Sequence, residues 1–359
     1  MPTRFFPVEH QGPWSVHAVE TGPQADQLLR DVMASGMSVA VQGFALGAAM
    51  FTFSESKLIG DLAARGSLQA KDAADRNGYD YFQTLGLLRF FVTQGLFAEE
   101  TGETFRLTPK GTAAMSPTSL AAISFYIGGY GHLMTQSRSL LEKKITYGKE
   151  VTRDSYHVAA GSKLNTASFM DMVPLAVLAR KGARKVADLG CGAGQFLIEW
   201  VKGGADRSGV GVDLAPEAIE AARKSAQAQG VGDRLKFHVG DAFDNLALTK
   251  TLSEVDVIFS FAMEHEGLRD GEIAVLSHID SLAEHFPGKR YLLGEPMLHM
   301  SAADGMFYWI HVLSLQGIPR DVSGWCSLLG KLKKAKLNEV FIPDHRQWCA
   351  YFDIELPSK

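Results

Sequence analysis

The stretch VADLGCGAGQFLIEW, residues 186–200, constrains the fold of this chain more than any other. It begins with a short, mainly apolar run typical of a buried parallel strand, and it ends in a helical pattern. Between them, Gly190, Gly192 and Gly194 stand at alternate positions. Glycine permits positive φ and removes the Cβ that would block a ligand, and the start of the next helix offers unpaired N–H groups. The stretch therefore predicts a strand, a ligand-binding turn and a helix.

More strands follow, and two of them end in acidic residues. SGVGVDL carries Asp213 at its end and RLKFHVGDAFD carries Asp241, while VDVIFSFAMEH and KRYLLGEPM supply further strands before a terminal hairpin in NEVFIPDHRQWCAYFDIEL. This alternation over residues 171–359 predicts an α/β, Rossmann-like doubly wound sheet with a terminal antiparallel hairpin and ligands at the carboxyl ends of its strands. An acid at the end of the second strand is suited to hold a ribose diol. The alternatives are a helix N-cap for Asp213 and a turn residue for Asp241.

The N-terminal part, residues 1–125, has the pattern of a mainly helical domain. After apolar helices rich in Ala, Met and Gly, the sequence predicts a helix, a turn, two helices and a two-stranded wing with its turn at residues 100–103, which is a winged-helix outline. Residues 55–115 contain seven basic and eight acidic side chains, so their net charge is negative and has the wrong sign for neutralising phosphates. We therefore expect a dimerisation domain rather than a DNA-binding domain, followed by linker helices over residues 126–170 that contribute to a substrate pocket.

Composition excludes several classes of partner. The formal net charge of −4 gives no electrostatic case for nucleic acid or an anionic membrane. The widely spaced Cys191, Cys326 and Cys349 predict neither a disulfide framework nor a structural zinc site, and they fit a reducing cytoplasm. The first residues, MPTRFFPVEHQGPW, lack the apolar core of a signal peptide. We expect no stretch of about 18 uncharged apolar residues that would span a bilayer, and the expected location is cytoplasmic.

The glycine spacing separates two classes of nucleotide ligand. A dinucleotide site usually reads GxGxxG, whereas here Asp188 stands two residues before the first glycine of D-x-G-x-G-x-G. An anion there would repel a phosphate but would suit an amino group or a sulfonium. The segment resembles the class I S-adenosylmethionine-dependent methyltransferases, and a dinucleotide oxidoreductase is disfavoured. The resemblance implies cofactor contacts from Asp188, Gly190, Gly192 and Gly194 (methionine portion), Asp213 (ribose), Asp241, Ala242 and Phe243 (adenine), and also Leu214 and Ser260.

The whole layout is similar to that of the dimeric small-molecule O-methyltransferases, in which a catalytic histidine follows the fourth strand. FAMEHEGLRDGEIAVL places His265 at that position, which makes it the implied general base. Its neighbours depart from the family pattern, because Glu264 and Glu266 flank the histidine and Gly267 replaces the usual tryptophan. A metabolite-sensing regulator that binds DNA through the winged helix is the hypothesis from another class, and His265 and the acidic winged helix argue against it.

Further metal-ligand side chains follow the fifth strand. Glu295, His299 and His311 are of the types that bind hard or borderline divalent ions, so His265, His299 and His311 form a candidate site for a metal such as Zn, Ni or Fe. Ordinary core or surface positions for His299 and His311 are the alternative. His278 and His285, in a polar helical stretch, are expected to be solvated.

Residues 126–162 resemble, more loosely, the bacterial methyltransferases that act on the carbon beside the carbonyl of 2-oxo acids. The resemblance implies Tyr126, Tyr130 and Glu295 as substrate-binding residues and Arg153 as the partner of the substrate carboxylate, with plain packing and a surface salt bridge as the alternatives. A metal would explain the histidines, because chelation of the keto oxygen and carboxylate acidifies the adjacent C–H. The sequence thus predicts a homodimeric S-adenosylmethionine-dependent C-methyltransferase of a small 2-oxo acid. The alternative is an O-methyltransferase with His265 as its base.

Overall fold

The computed structural model divides into two compact units, Met1–Thr112 and Ala113–Lys359. Residues 113–125, which the sequence analysis assigned to the N-terminal domain, group with the second unit. The structure describes residues 4–9, 15–20, 22–165, 172–297, 305–315, 317, 320–343 and 349–358.

The first unit contains two small sheets and several helices. In chain order they are β1 Phe5–Val8, β2 Val16–Val19, α1 Pro23–Ala34, α2 Met37–Glu55, α3 Leu58–Arg65, β3 Leu68–Gln69, α4 Ala70–Asn77, α5 Tyr81–Thr93, β4 Phe97–Glu100, β5 Thr104–Leu107 and the first part of α6 Pro109–Ala114. β1 and β2 pair antiparallel, and the other sheet has the order β3-β5-β4. From α3 to β5 the elements follow the order expected for a winged helix, around the buried rings of Phe53, Phe91 and Phe97.

The second unit carries the large sheet. Its elements are α7 Pro117–Ile123, a π-helical turn Ser124–Gly128, α8 Gly129–Thr135, α9 Ser137–Leu141, α10 Ser155–Asn165, α11 Met172–Arg180, β6 Lys185–Leu189, α12 Gln195–Lys202, β7 Ser208–Asp213, α13 Pro216–Ala228, β8 Leu235–Val239, α14 Asn245–Leu248, β9 Val257–Phe261, α15 Glu264–Gly267, α16 Glu272–His285, β10 Arg290–Pro296, α17 Gly305–Leu313, α18 Val322–Leu329, β11 Lys336–Phe341 and β12 Cys349–Glu355.

The predicted α/β sheet is confirmed. It has seven strands in the order β11-β12-β10-β9-β6-β7-β8. The five strands from β6 to β10 are parallel to one another, and β12 runs antiparallel between β10 and β11. Because β6 and β9 are adjacent, the chain reverses its direction of winding between them, and the turns after these strands open a crevice at their carboxyl ends.

Two apolar cores cover the faces of this sheet. On one face, α12 buries Phe196, Leu197 and Trp200 at helical spacing, together with side chains of α13. On the other, α16 and α18 pack with the fully buried Trp325 against the strands. The sheet is therefore held rigidly between helices, and the side chains at its strand ends are fixed in place.

In the first unit, α1 and α2 leave much apolar surface exposed. No residue of α1 is buried, and α2 buries only Gly47, Met50 and Phe53. Among the described residues, α2 is also the one helix long and apolar enough, by length and composition, to cross a membrane. The expectation that no such stretch exists was therefore wrong, because Gly43 and Gly47 interrupt an apolar run that continues as one helix. Length and composition alone do not distinguish a membrane span from a helix that another protein surface covers.

Candidate active site

The glycine turn after β6 has the backbone that only glycine adopts without strain. Gly190, Gly192 and Gly194 have φ values of 76°, 50° and 74°. A Cβ built on Gly190 or Gly192 would face open space, whereas one on Gly194 would lie 2.7 Å from the ring of Phe237. The first two glycines thus leave room for a ligand, and the third allows α12 to pack closely on the sheet. Asp188, 4% exposed, lies within β6 just before this turn.

Asp213 ties the glycine turn to the start of α13. Its Oδ2 accepts the N–H of Gly192 at 2.8 Å, and its Oδ1 accepts the N–H of Ala215 at 2.9 Å. The N-cap position of α13 is Ala215 itself, so Asp213 is not the N-cap. An ionised carboxylate has about four acceptor sites, so two remain for hydroxyl donors such as a ribose diol.

The residues predicted to frame adenine lie on one turn after β8. Asp241 Oδ1 accepts the N–H of Phe243 at 2.9 Å, which is the turn role considered as the alternative. Phe243 and Leu214 are 41% and 71% exposed, so a flat ligand can reach them, whereas Ala242, between Asp241 and Phe243 in sequence, is buried. Ser260 differs, because it is fully buried and its Oγ lies 2.7 Å from the hydroxyl of Tyr291. This position does not support a direct contact between Ser260 and the cofactor.

His265, in α15 after β9, is buried and oriented by Glu295. Its Nδ1 lies 2.7 Å from Glu295 Oε2, and its backbone N–H donates to Glu295 Oε1 at 3.2 Å. The backbone N–H of Glu264 donates to the same Oε1 at 2.8 Å. Burial opposes charging of the imidazole, but the Glu295 carboxylate outweighs it and raises the pKa of His265. The Glu295 carboxylate is fully buried and accepts from these three donors, so it holds His265 in place, while its binding to substrate stays a prediction.

His311 of α17 meets His265 from the opposite side. Its Nδ1 donates to the Phe307 carbonyl at 2.7 Å, and its Nε2 lies 3.2 Å from His265 Nε2. The carbonyl can only accept, so the Nε2 of neutral His311 carries a lone pair. Burial, followed by the charge of His265, lowers the pKa of His311 to about 3. The Nδ1 atom of each histidine already donates a hydrogen bond, to Glu295 and to the Phe307 carbonyl. The two Nε2 atoms therefore face each other with lone pairs and require a proton or a cation between them.

The third predicted metal ligand, His299, lies outside the described residues. Among the described residues there is no cluster of three or more His, Cys, Asp or Glu side chains that would hold a metal ion. The structure thus brings together His265 and His311, with Glu295 and the Phe307 carbonyl behind them.

A second buried carboxylate–imidazole pair lies beside the first. Glu264 Oε1 is 2.7 Å from His278 Nδ1 and accepts the hydroxyl of Tyr291 at 2.8 Å. The His278 side chain is only 7% exposed, so the expectation that it is solvated was wrong. Burial opposes its protonation, but the Glu264 carboxylate raises the pKa of His278, with a smaller contribution from the Ala242 backbone. The polar residues around His278 in the sequence of α16 do not indicate this buried pair.

A cavity of about 280 Å³ lies next to these groups and is lined by Arg153, Phe243, Glu264, Glu266 and Tyr147, among others. Arg153 Nη1 and Nη2 both lie 3.4 Å from Glu266 Oε1, in a half-buried ion pair rather than at an open surface.

Tyr130, 2% exposed, belongs to the apolar cluster that joins α8 to Ile310 and Leu313 of α17. Tyr126 is half-buried and packs at its edge. Both tyrosines thus have packing contacts, and their binding to substrate stays a prediction. Burial opposes the charge of Arg153, but Tyr130 and Glu266 help to raise the pKa of Arg153. Through α17, this cluster fixes the position of His311.

The comparisons identify the domain that carries this site. Residues 180–298 match the family model described as a methyltransferase domain. The chain is 31% identical to 2-ketoarginine methyltransferase of Streptomyces arginensis over 201 residues, which are 55% of this chain and 57% of that protein. It is 37% identical to methyltransferase ungE' of Aspergillus campestris over 111 residues, 31% of each protein. The matches thus span about a third and just over half of the length of these relatives.

Solved structures share the fold over nearly the whole chain. The mitomycin 7-O-methyltransferase MmcR is 17% identical, with 92% of this chain and 99% of that chain covered and a TM-score of 0.72. NcsB1, an O-methyltransferase from neocarzinostatin biosynthesis in complex with S-adenosylmethionine and 2-hydroxy-5-methyl naphthoic acid, is also 17% identical, with 87% and 96% covered and a TM-score of 0.64. At this identity the likeness concerns the fold.

Proposed function

We propose that this chain, which carries a methyltransferase domain over residues 180–298, transfers the methyl group of S-adenosylmethionine to a small metabolite. Support comes from the glycine turn with open space at Gly190 and Gly192 and from Asp213, whose carboxylate keeps acceptor sites for a ribose. Calorimetry with S-adenosylhomocysteine tests it. We expect binding that Asp213→Ala weakens strongly, and binding of NAD instead would contradict the assignment.

For the acceptor, we propose the carbon beside the keto group of a 2-oxo acid, with assistance from a divalent metal. The observation that carries this proposal is the pair of facing Nε2 atoms of His265 and His311, 3.2 Å apart. Two imidazoles that bind one zinc-like ion at about 2.0–2.1 Å have nitrogens roughly 3.0–3.4 Å apart when they are neighbouring ligands. The name of the 2-ketoarginine methyltransferase relative supports the same class of acceptor.

The groups behind the two histidines also fit a metal. Metal-binding histidines usually donate their other N–H to a carboxylate or a backbone carbonyl, as His265 does to Glu295 and His311 to Phe307. The chemistry that such an ion supplies is Lewis-acid polarisation of the keto oxygen, which acidifies the neighbouring C–H.

The chain's own residues bind and orient the reactants. Arg153 lines the cavity and is the proposed partner of the substrate carboxylate, which would compete with Glu266 for the guanidinium. Asp213 would hold the ribose of the cofactor through the acceptor sites that its two backbone bonds leave free. The methyl needs little activation, so most of the rate enhancement comes from alignment of the acceptor carbon with it.

Solvent exchange separates this proposal from its alternative. If the enzyme acidifies the C–H, it should catalyse deuterium incorporation at C3 of a suitable 2-oxo acid without a methyl donor. A chelator, His265→Ala and His311→Ala should each suppress both exchange and methylation. Methylation of a phenol or alcohol in the presence of chelator, with no exchange across a panel of 2-oxo acids, would favour O-methylation with His265 as a lone base.

A further inference from the structure

The Glu264–His278 pair has no part in the mechanism above, yet it is costly to bury. Glu264 is fully buried, and its Oε1 is bonded to His278 Nδ1 and to the Tyr291 hydroxyl. Glu264 Oε2 and His278 Nε2 have no hydrogen-bond partner among the described residues. Replacing a buried ion pair by apolar side chains of similar volume is often neutral or stabilising. Stability alone therefore does not account for this pair.

The pair connects two turns that carry different parts of the site. Glu264 precedes His265, and both of their backbone N–H groups donate to Glu295. On the other side, the ring of His278 lies 4.8 Å from the ring of Phe243, centroid to centroid, at an angle of 58°. His278 is thus bonded at its Nδ1 to the turn that carries His265, and its ring packs against Phe243 in the turn predicted to frame adenine.

Phe243 is 41% exposed and lines the cavity, so the packing of the His278 ring against it helps to set the orientation of its own ring. An aromatic side chain that stacks on a base binds it more tightly when the side chain is already ordered before the ligand binds, because binding then costs less conformational entropy.

We propose that His278 is a positioning residue for the adenine end of the cofactor: anchored to Glu264, it holds Phe243 in the orientation that binds the base. This inference rests on the proposed cofactor. It assigns His278 an effect on cofactor affinity rather than on the methyl-transfer step.

The test compares two variants that each change one of the two partners of the Glu264 carboxylate. His278→Asn retains a short amide donor for Glu264 but removes the ring that contacts Phe243. Tyr291→Phe removes the hydroxyl donor and leaves His278 in place. We expect His278→Asn to weaken S-adenosylhomocysteine binding in calorimetry by about tenfold and to raise KM for S-adenosylmethionine similarly with kcat nearly unchanged. Tyr291→Phe should change affinity by less than about twofold.

A double-mutant cycle with Phe243→Leu provides the second measurement. If His278 acts through Phe243, the effects of His278→Asn and Phe243→Leu on affinity are not additive, and the double variant binds about as weakly as Phe243→Leu. Thermal unfolding of each variant shows whether it is folded. Equal affinity in His278→Asn and the parent, equal losses in His278→Asn and Tyr291→Phe, or additive effects in the cycle would overturn this inference alone. Absence of S-adenosylhomocysteine binding by the parent protein would overturn the proposed function with it.

Discussion

Glu295 acts on the site through His265, because its own side chain is fully buried. Its two oxygens accept the His265 ring N–H and two backbone N–H groups, so its charge fixes both the tautomer and the position of the imidazole. We expect Glu295→Gln to lower kcat/KM and metal affinity by about 10- to 100-fold, because a neutral amide orients the ring less strongly. Binding of S-adenosylhomocysteine should be unchanged.

The matched control is Glu284→Gln, the same substitution at an exposed residue of α16 that pairs with Lys334. Steady-state kinetics and metal analysis of both variants check the prediction. A Glu295→Gln protein with full activity would show that His265 does not need the carboxylate.

His311 predicts a loss of stability in acid. The folded-state pKa of His311 is about 3, below the ordinary value of 6.5. Between these two pH values the unfolded chain binds a proton at His311 and the folded chain does not. The contribution of neutral His311 to the free energy of unfolding is complete above about pH 6.5. It is lost as the pH falls toward 3, with a slope of about 1.4 kcal/mol per pH unit. His265, whose pKa is raised, has the opposite sign, and its contribution is lost only as the pH rises through its folded pKa.

We therefore expect His311→Asn to reduce the slope of unfolding free energy against pH between about pH 4 and 6 by roughly one proton's worth. Urea unfolding at a series of pH values, with chelator present because a bound metal adds its own pH dependence, measures this slope. An unchanged slope would contradict the buried, neutral state of His311.

At single residues, the sequence identified the types of side chain at the site better than their roles. His265 was found because a strand and a family pattern precede it. The sequence predicts neither the bond between Glu295 and His265 nor the buried state of His278, because the order of polar residues does not show which carboxylate contacts which ring across the fold. Such pairs form between residues 14 to 30 positions apart, beyond the reach of local patterns.

Among the elements, the glycine turn separates a binding role from a packing role. Gly190 and Gly194 both have positive φ, so alanine costs about 1 kcal/mol of conformational strain at either. At Gly194 a Cβ would also meet Phe237 at 2.7 Å and Ala222 at 3.0 Å, whereas at Gly190 it meets nothing within 4 Å. We expect Gly194→Ala to lower Tm by several degrees more than Gly190→Ala.

Gly190→Ala should instead weaken S-adenosylhomocysteine binding, since its methyl group enters the space left for the cofactor. Differential scanning fluorimetry with and without the ligand checks both expectations. Equal loss of Tm in the two variants would mean that α12 can move away from Phe237.

The elements themselves were largely predictable because their signals are local. Alternating apolar strands and glycine or acidic strand ends indicated the parallel sheet, and the terminal hairpin followed from its two apolar runs. The β1–β2 ribbon was not expected, because its strands are short and all of their residues are exposed, so no buried face marks them in the sequence. The continuity of α2 was missed, since glycines that interrupt a pattern on paper are tolerated inside a helix at a cost of about 1 kcal/mol each.

On the scale of the whole molecule, the exposed apolar side chains of α1 and α2 support the proposal of a homodimer. Leu28, Leu29, Val39, Val41 and Phe44 are 64–72% exposed. Apolar patches of this extent mark interaction surfaces on soluble proteins. We expect Val41→Glu with Phe44→Glu to convert a dimer into a monomer, as measured by sedimentation at micromolar concentration.

The control for the dimer is Ile273→Glu, which alters an apolar residue of α16 that is 78% exposed. It should leave the sedimentation coefficient unchanged. A parent protein that sediments as a monomer would refute the dimer, and flotation of the parent with lipid vesicles would point to a membrane for α2 instead.

The insertion of β12 between β10 and β11 has a consequence for biosynthesis. During translation the parallel strands β6 to β10 leave the ribosome first, and the edge of β10 stays unpaired until residues 349–355 are added. An open, apolar strand edge is a template for association with other chains, and the nascent chain carries it from the completion of β10 at Pro296 until synthesis reaches Cys349. A nascent chain that stalls on the ribosome just before Cys349 would therefore expose an edge to which chaperones can bind. Synthesis of residues 349–355 would allow β12 to complete the sheet.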